Sequence, residues 1–385
     1  MIIRMSVAVI DVERQTSTVR GATPTATVVF APYDAMNPYQ PQIVQGLRGL
    51  GYTVLEYDSF WEAYADILSG KICPDILHLH WLYFLRFRLP LGRAARKTMG
   101  YAQKLLTLRR RGVKIVWTVH NYLSHECPRP HIEKLTRVLT GRMADRVIVH
   151  SPQAQELVHR SWFIGRSRIA VVSHPHYTDV YRSGIGREEA ERALGLTPTA
   201  LRYVFLGAIR RYKGVLKLID AFKRLDCADA QLLVAGKVRN DEQLLEEIGC
   251  GIGGDHRIVL QPGFIADDDI QKYMAVADVV VLPYSEALTS GAAILAMSFG
   301  RPCVVPATIA FEAVLDDQGA FFYDPKCGDG LKYAMQEAFA NRGILDSYGR
   351  HNLQRAKDWN PERIAAQTGA VYGALLTSDG SALKS

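Results

Sequence analysis

Residues Val204-Phe-Leu-Gly207-Ala-Ile-Arg210-Arg-Tyr-Lys213-Gly join an apolar, strand-like segment to the start of a helix. Gly207 permits a sharp turn there, because glycine adopts backbone angles that other residues avoid. Just after the turn come Arg210 and Lys213, whose cationic groups bind phosphate oxygens well. The order of strand, glycine turn and helix predicts an α/β fold in which this loop holds a diphosphate. A solvated basic loop is the alternative interpretation.

A second loop of this kind lies between the predicted strand Val279–Pro283 and an apolar helix, Ala292–Phe299. Ser290 is a suitable N-cap, and an N-cap leaves other backbone N–H groups free for an anion. Ordinary helix capping is the alternative here, and the two interpretations are compatible. The predicted diphosphate-binding residues are Arg210, Lys213, Thr289, Ser290 and Gly291.

Length and pattern predict two domains. The chain has 385 residues, 48% of them hydrophobic and 22% charged, which suits two cores rather than one. Short β-branched segments alternate with helical patterns in both halves, so we expect two Rossmann-like, doubly wound parallel sheets that face a cleft. We predict an N-terminal domain over 1–180, with a linker over 174–186, and a C-terminal domain over 181–360. The last helix, 361–377, is expected to pack back on the first domain.

Several classes of protein are disfavoured. The longest apolar stretches are far shorter than the roughly 20 residues of a membrane-spanning helix, and the apolar start, Met1–Asp11, is too short for a secretory signal. A cytoplasmic location is therefore expected. The 6 cysteines form no C-x-x-C pair, so neither a metal site nor a disulfide framework is predicted. No P-loop motif occurs, and the glycine-rich stretch Gly249–Gly254 follows a predicted helix, which argues against a dinucleotide-binding motif.

The charge is divided unequally between the halves. Residues 1–185 hold 24 Lys and Arg against 13 Asp and Glu, whereas residues 186–385 hold 22 against 26. No acidic residue occurs between Asp75 and Glu126, a stretch with ten Lys and Arg. Such a field attracts phosphates and lipid headgroups, so residues 83–114 are predicted to contact an anionic membrane surface. A solvated basic helix is the alternative, and no nucleic acid partner is expected because no recognition motif accompanies the charge.

Histidines and carboxylates near strand ends are candidates for catalysis. His120 ends a predicted strand in the first half, where it could hydrogen-bond a substrate hydroxyl or move a proton near neutral pH. His78 and His80 lie at period two and so share one face of their strand. Glu286 follows a predicted buried strand in the second half and could accept hydrogen bonds from sugar hydroxyls. Each residue also has a structural interpretation, as a core histidine or a solvated carboxylate.

With these residues in view, the chain resembles the GT-B glycosyltransferases, in particular the retaining family-four group that uses nucleotide-diphosphate sugars. Phe205–Gly214 is similar to the family's diphosphate loop, and Ala296–Pro302 to its small-residue helix end. Leu260–Ile265, followed by a predicted helix, resembles the segment that holds the nucleobase. The nucleobase contacts that this implies are Gly263, Phe264 and Ile265.

In the first half the resemblance covers three more segments. They are Asn37–Gln40, Asp75–Trp81 and Thr118–Asn121, which resemble the family's donor-side loop, its strand with histidines and its active-site histidine. The resemblance therefore implies that Asn37 and His80 lie at the cleft and that His120 lies in the active site.

The family's Glu-x7-Glu motif is not preserved. Counting from Glu286 places Ile294 at the second position, and alignment on the Ala-Met pair places Leu295 there. Ribose recognition must then come from other residues, and the stereochemical outcome stays open. An inverting enzyme needs a base near the acceptor, for which Glu126 and His120 are the candidates.

The resemblance implies a hexosyltransferase without a cofactor, acting on a lipid-linked or glycan intermediate of cell-surface or exopolysaccharide assembly. A nucleotide-diphosphate sugar would bind the C-terminal domain, and the acceptor the N-terminal one. Arg210 and Lys213 would stabilise the departing nucleoside diphosphate in place of a metal. Two alternatives are a nucleotide-sugar epimerase of the same architecture and a non-catalytic nucleotide-sugar-binding subunit.

Overall fold

Two parallel sheets with helices on both faces form the framework of the protein. The structure, a computed structural model, describes residues 26–85, 89–123, 127–239, 241–284 and 286–380. Glu126 and the chain start lie outside these ranges, so the predictions made for them have no structural counterpart. None of the helices in the described ranges is long and apolar enough to cross a membrane.

The first sheet belongs to the N-terminal half. Its strands are β1 (Thr27–Ala31), β2 (Thr53–Glu56), β3 (Ile76–Leu79), β4 (Lys114–Thr118), β5 (Arg146–Val149) and β6 (Ile169–Val171). The helices between them are α1 (Tyr39–Gly49), α2 (Phe60–Ser69), α3 (Leu91–Arg110), α4 (Pro130–Met143) and α5 (Pro152–Trp162). The strand order is β2-β1-β3-β4-β5-β6, with Val28 of β1 beside Val54 and Ile76. The chain therefore changes direction across the sheet at β1.

The second sheet repeats this plan. Its strands are β7 (Leu201–Leu206), β8 (Ala230–Gly236), β9 (Ile258–Pro262), β10 (Val279–Val281), β11 (Cys303–Pro306) and β12 (Ala320–Tyr323). Its helices are α6 (Arg187–Leu194), α7 (Val215–Lys223), α8 (Glu242–Ile252), α9 (Ile270–Val276), α10 (Gly291–Ser298), α11 (Ile309–Glu312), α12 (Gly330–Ala340), α13 (Leu345–Lys357) and α14 (Pro361–Gly380). In the order β12-β11-β10-β7-β8-β9, the chain adds β8 and β9 on one side of β7 and then β10, β11 and β12 on the other, so β7 marks the switch point. Crevices at such switch points bind ligands in open α/β sheets.

Alternate residues of each strand serve separate cores, as expected when helices cover both faces of a sheet. In the first domain, Leu77 and Trp117 pack with α2, α3 and α5, whereas Val28 and Val116 pack with α1 and α14. The α/β class and the alternating strands were predicted correctly. The strand and helix pattern did not predict α2, α4, α5, α6 or the elements between β11 and α14, whereas the predicted last helix, 361–377, corresponds to α14. Helix α5 begins at a Ser-Pro pair, where Ser151 Oγ accepts from Ala154 N–H at 3.1 Å.

Helix α14 crosses from the C-terminal domain and packs against α1. A Cβ placed on Gly46 would overlap the Cβ of Ala365, so glycine lets the two helices approach closely. The Tyr52 hydroxyl donates to the Gly369 carbonyl at 3.0 Å. Tyr372 is fully buried, and its hydroxyl lies 2.5 Å from Nδ1 of His78. Together these contacts hold the end of the chain on the N-terminal domain and fix how the two sheets face each other.

Replacement of Gly46 tests this helix contact. Gly46→Ala should lower the free energy of unfolding by about 1–3 kcal/mol, because the added methyl group meets Ala365 in a packed interface. The matched control is Gly49→Ala on the same helix, where an added Cβ has no neighbour within 4 Å. That substitution should be neutral or stabilising by up to about 1 kcal/mol, from helix propensity alone. Equal melting temperatures for the two variants would contradict the close packing of α1 and α14.

Candidate active site

A cleft of about 480 Å³ opens between the domains at the carboxyl ends of β7 and β8. Its N-terminal wall is the loop after β1, with Asp34, Met36, Asn37 and Pro38. Its C-terminal wall includes Gly207, Lys213, Gly236, Lys237, Arg239, Phe264, Ile265, Gly291 and Leu295. Tyr177 and Tyr181 of the interdomain segment complete it. The cleft therefore occupies the switch point of the second sheet and faces that of the first.

Two glycines end the strands at the floor of this cleft. Gly207 and Gly236 both have positive φ angles, of 131° and 143°, which favour glycine. The Gly207 N–H donates to the Ala235 carbonyl at 3.0 Å, and a Cβ on Gly236 would overlap the Gly207 carbonyl oxygen. The two backbones thus approach without side chains between them, which leaves room for a ligand close to the main chain.

Lys213 lies at the centre of a cluster of positive charge. Its Nζ sits over the Tyr284 ring, 5.6 Å from the centroid. Burial, and then the nearby guanidinium groups of Arg210 and Arg239, lower the pKa of Lys213 to about 8. Arg210 is half-buried in the turn, and within the described ranges neither Arg210 nor Lys213 forms an ion pair with a carboxylate. The cluster therefore favours an anionic ligand.

Arg211, between these two residues, has a different environment. Its guanidinium pairs with Asp241 and with Glu247, each at 2.7 Å, on the exposed side of the turn. Of the three basic residues of the motif, Lys213 lines the cleft, Arg210 does not line it but acts on Lys213 through its charge, and Arg211 braces the loop against α8.

The start of α10 forms the neighbouring wall. Ser290 caps this helix, with its Oγ accepting from Ala293 N–H at 3.1 Å and lying 2.8 Å from the Tyr284 hydroxyl. Gly291, the first residue of α10, lines the cleft, and a Cβ there would lie 3.2 Å from the Tyr177 hydroxyl. Thr289 instead lines a separate cavity of about 20 Å³, together with His150 and His174. The structure therefore brings Gly291 close to Lys213 and directs Thr289 towards the domain interface.

The predicted nucleobase segment lies at one end of the cleft. Phe264 is 68% exposed and lines the cleft beside Ile265, which suits an aromatic platform for a planar base. Gly263 does not line the cleft, but its N–H donates to the Gly236 carbonyl at 3.2 Å and so ties this segment to β8. Leu295 also lines the cleft, at a position where the glycosyltransferase motif would have its second glutamate.

His120 lies inside the N-terminal domain and not on the cleft wall, and it is 9% exposed. Its ring stacks on Trp81, with centroids 4.4 Å apart. Its Nε2 lies 3.1 Å from Nδ1 of His80, and its Nδ1 lies 3.4 Å from Nε2 of His150. His80 is likewise buried. The two histidines predicted for the cleft are therefore members of a buried row of rings.

The Val172 carbonyl fixes the protons along this row. His150 Nδ1 must donate to it, at 2.9 Å, because a carbonyl only accepts. His150 Nε2 then accepts from His120 Nδ1, and His120 Nε2 accepts from His80 Nδ1. Burial is the main cause that lowers the pKa of all three, that of His150 to about 4, so the rings are neutral at pH 7. In this arrangement His120 has no free nitrogen to take a proton from a substrate.

The remaining predicted residues have mixed positions. Asn37 lines the cleft, and its Oδ1 accepts from Tyr39 N–H at 3.2 Å. Glu286 is exposed and does not line the cleft, and Glu126 lies outside the described residues. The sequence patterns also missed Asp34 and Arg239, both of which line the cleft. The signal that could have found them is their position just after β1 and β8, where strand ends meet at one sheet edge.

The described residues include no group of three His, Cys, Asp or Glu side chains arranged to hold a metal ion.

Two facing Rossmann-like domains with a cationic cleft between them are the features of the GT-B fold. Solved structures share this fold. Sucrose-phosphate synthase from Thermosynechococcus elongatus has a TM-score of 0.70 at 17% identity, with 91% of this chain and 99% of that chain covered. Anabaena HepE, solved in complex with UDP, has a TM-score of 0.71 at 14% identity, with 91% and 100% covered.

The chain is a glycosyltransferase, and its residues 200–341 match the family Glycosyl transferases group 1. A GDP-mannose:glycolipid 4-beta-D-mannosyltransferase of Xanthomonas campestris pv. campestris is 26% identical over 371 residues, which cover 94% of this chain and 96% of that protein. These similarities confirm the GT-B fold and the glycosyltransferase resemblance noted from the sequence.

The charge on Lys213 should control nucleotide binding. Because the pKa of Lys213 is lowered to about 8, the free protein loses this charge as the pH rises through that value. We expect the affinity for GDP and UDP to fall between about pH 7 and about pH 9, well below the usual pKa of lysine near 10.4. Isothermal titration calorimetry measures this directly.

Lys213→Met should weaken binding and remove most of that pH dependence. The matched control is Arg211→Met, two residues away, whose charge is already paired with Asp241 and Glu247. The control should keep both the affinity and its pH dependence. If Lys213→Met retained the wild-type pH profile, the lysine would not be the group that binds the diphosphate.

Proposed function

We propose that this enzyme transfers a hexosyl unit from a nucleotide-diphosphate sugar to a lipid-linked or glycan acceptor. The observation that carries the proposal is the grouping of Lys213 and Arg239 on the cleft wall with Arg210 nearby, where burial, and then the charges of the two arginines, lower the pKa of the lysine. A nucleoside diphosphate supplies the missing negative charge. That charge grows as the glycosidic bond breaks, so the same cations stabilise the transition state more than the bound donor.

The cleft residues suggest how the donor lies. The diphosphate would contact Lys213 and the first turn of α10 at Gly291, where backbone N–H groups are free of intrahelical partners. The nucleobase would rest against Phe264 and Ile265. This arrangement directs the sugar towards the opposite wall of the cleft, where Asn37 lies.

The favoured donor is GDP-mannose, with a glycolipid as acceptor. The Xanthomonas relative is named for both, and the similarity extends along 94% of this chain. Because the solved structures are only 17% and 14% identical to this chain in sequence, they support the fold alone. We therefore propose mannose as the transferred sugar.

A membrane-bound acceptor is supported by helix α3. Leu91, Met99 and Leu106 are exposed apolar side chains on one side of this helix, 58%, 58% and 41% exposed. Arg93, Arg96 and Arg110 are exposed along the same helix. An exposed face that combines apolar and cationic side chains suits the surface of an anionic membrane. We propose that residues 83–114 dock there on the cytoplasmic face of the plasma membrane.

Turnover with defined donors tests the reaction. GDP release from GDP-mannose should rise when lipid-linked glycans are added and should exceed the release of UDP from UDP-hexoses. Arg210→Ala should lower kcat by about 10²–10³, because it removes a cation beside the leaving group, whereas Arg211→Ala should change it little. Conversion of the donor sugar without any acceptor would instead indicate an epimerase. A wild-type kcat in the Arg210→Ala variant would contradict the proposed role of this residue.

Co-sedimentation with phosphatidylglycerol liposomes tests the docking surface. The wild-type protein should sediment at low salt and be released at high salt, because exposed charges are screened. A triple variant of α3 should lose this binding, while a triple variant of exposed arginines on the C-terminal domain should keep it. The α3 variant carries Arg93→Gln, Arg96→Gln and Arg110→Gln. The control variant carries Arg192→Gln, Arg342→Gln and Arg350→Gln. Wild-type protein that stays in the supernatant at low salt would rule out the membrane contact.

A further inference from the structure

One carboxylate faces the cationic wall of the cleft from the other domain. Asp34 lies in the loop after β1, and it lines the same cleft as Lys213 and Gly291. Neither the sequence patterns nor the compared proteins assign a role to this residue. Its position between the donor-binding wall and the N-terminal domain makes it a candidate for contact with the reacting groups.

The loop that carries Asp34 is held firmly. Gln40 is fully buried, and its Oε1 accepts from the Asp34 N–H at 2.7 Å while its Nε2 donates to the Pro32 carbonyl at 3.0 Å. The Tyr33 N–H donates to the Tyr57 carbonyl at 2.8 Å. These bonds fix the backbone on both sides of Asp34. A catalytic group needs this kind of support to stay in place during the reaction.

The two oxygens of the carboxylate differ. Oδ1 accepts from the Met36 N–H at 3.1 Å, which orients the group. Oδ2 makes no hydrogen bond to the described residues, and Asp34 is half-buried, so this oxygen is available to a ligand. An ionised carboxylate with one oxygen held and the other open can accept a proton from a bound hydroxyl.

Asp34 lies on the N-terminal wall of the cleft, across from Lys213 and Arg239 on the C-terminal wall. Outside this cleft, burial, and then the charges of Asp34 and Asp58, raise the pKa of the Tyr83 phenol. The position of Asp34 opposite the cations of the donor wall is the one that a base for the acceptor hydroxyl needs.

Among the described residues, His120 and Glu286 lack this position. His120 uses both ring nitrogens in the buried row, and Glu286 lies outside the cleft. We infer that Asp34 is the general base of the transfer reaction, an assignment that rests on the proposed function. The acceptor hydroxyl gives its proton to Asp34, and its oxygen forms a bond to C1 of the sugar. The bond from C1 to the diphosphate breaks, and the leaving nucleoside diphosphate keeps the electron pair near Lys213.

This assignment implies inversion at C1. Asp34 and Lys213 lie on opposite walls of the cleft, so the acceptor oxygen would reach C1 from the side opposite the diphosphate. Nucleotide sugars such as GDP-mannose carry an α-linked diphosphate, and a single displacement therefore gives a β-linked product. The Xanthomonas relative is named for a β-mannosyl product, which agrees with this outcome.

Transfer to methanol tests the base, because a methyl glycoside keeps its anomeric configuration in solution. The wild-type protein with GDP-mannose and methanol should form methyl β-mannoside, identified by NMR. Asp34→Asn keeps the shape of the side chain and an oxygen for the Met36 N–H, but it cannot take the proton. This variant should lower kcat by about 10²–10⁴ and leave the affinity for GDP unchanged. The matched control is Asp58→Asn. Asp58 is an exposed acid whose charge also raises the pKa of Tyr83, but it does not line the cleft.

The possible results separate the two proposals. If the wild type forms product and Asp34→Asn is equally active, or if the product is the α-glycoside, Asp34 is not the base and the transferase function stands. If the wild type binds GDP but transfers mannose to neither methanol nor a lipid-linked glycan, the proposed donor and the base assignment both fail. A loss of activity in Asp58→Asn as large as that in Asp34→Asn would overturn the specific role of Asp34.

Discussion

The cleft depends on a group of cations, Lys213 with Arg210 and Arg239, that form no ion pair with a carboxylate among the described residues. Burial of Lys213, and then the charges of Arg210 and Arg239, lower its pKa to about 8. Repulsion of this kind costs free energy in the unliganded protein, and an anion removes the cost when it binds. The glycine pair at the ends of β7 and β8 gives the anion access to the backbone. The charge on Lys213 and the space above the glycines are thus two parts of one site.

Inside the N-terminal domain, a row of neutral histidines lies buried away from the cleft wall. The row runs from His80 through His120 to His150 and ends on a backbone carbonyl. Because burial lowers the pKa of each ring, the unfolded chain binds more protons than the folded one below the usual histidine pKa of about 6.5. The free energy of unfolding therefore falls as the pH drops below that value. Helix α14 packs beside this row, where the Tyr372 hydroxyl lies 2.5 Å from Nδ1 of His78.

The sequence predicts the parts of this protein that have local patterns. The α/β class follows from alternating strands and helices, and the loop from Gly207 to Lys213 is recognisable because its turn and charges lie within a few residues. Asp34 and Arg239 were missed because their neighbours in the cleft come from distant strands, so no local spacing reveals them. The position of His120 was predicted from the end of its strand. A residue at that point can also turn into the domain, and packing against Trp81 decides this case.

A crystal structure of the protein with GDP tests the central claim most directly. The account predicts that the diphosphate lies in the interdomain cleft, with oxygens within hydrogen-bonding distance of Lys213 Nζ and of the backbone N–H groups at the start of α10. The guanine should then contact Phe264 and Ile265. A nucleotide bound elsewhere, or a diphosphate in the cleft without contact to Lys213, would contradict the account.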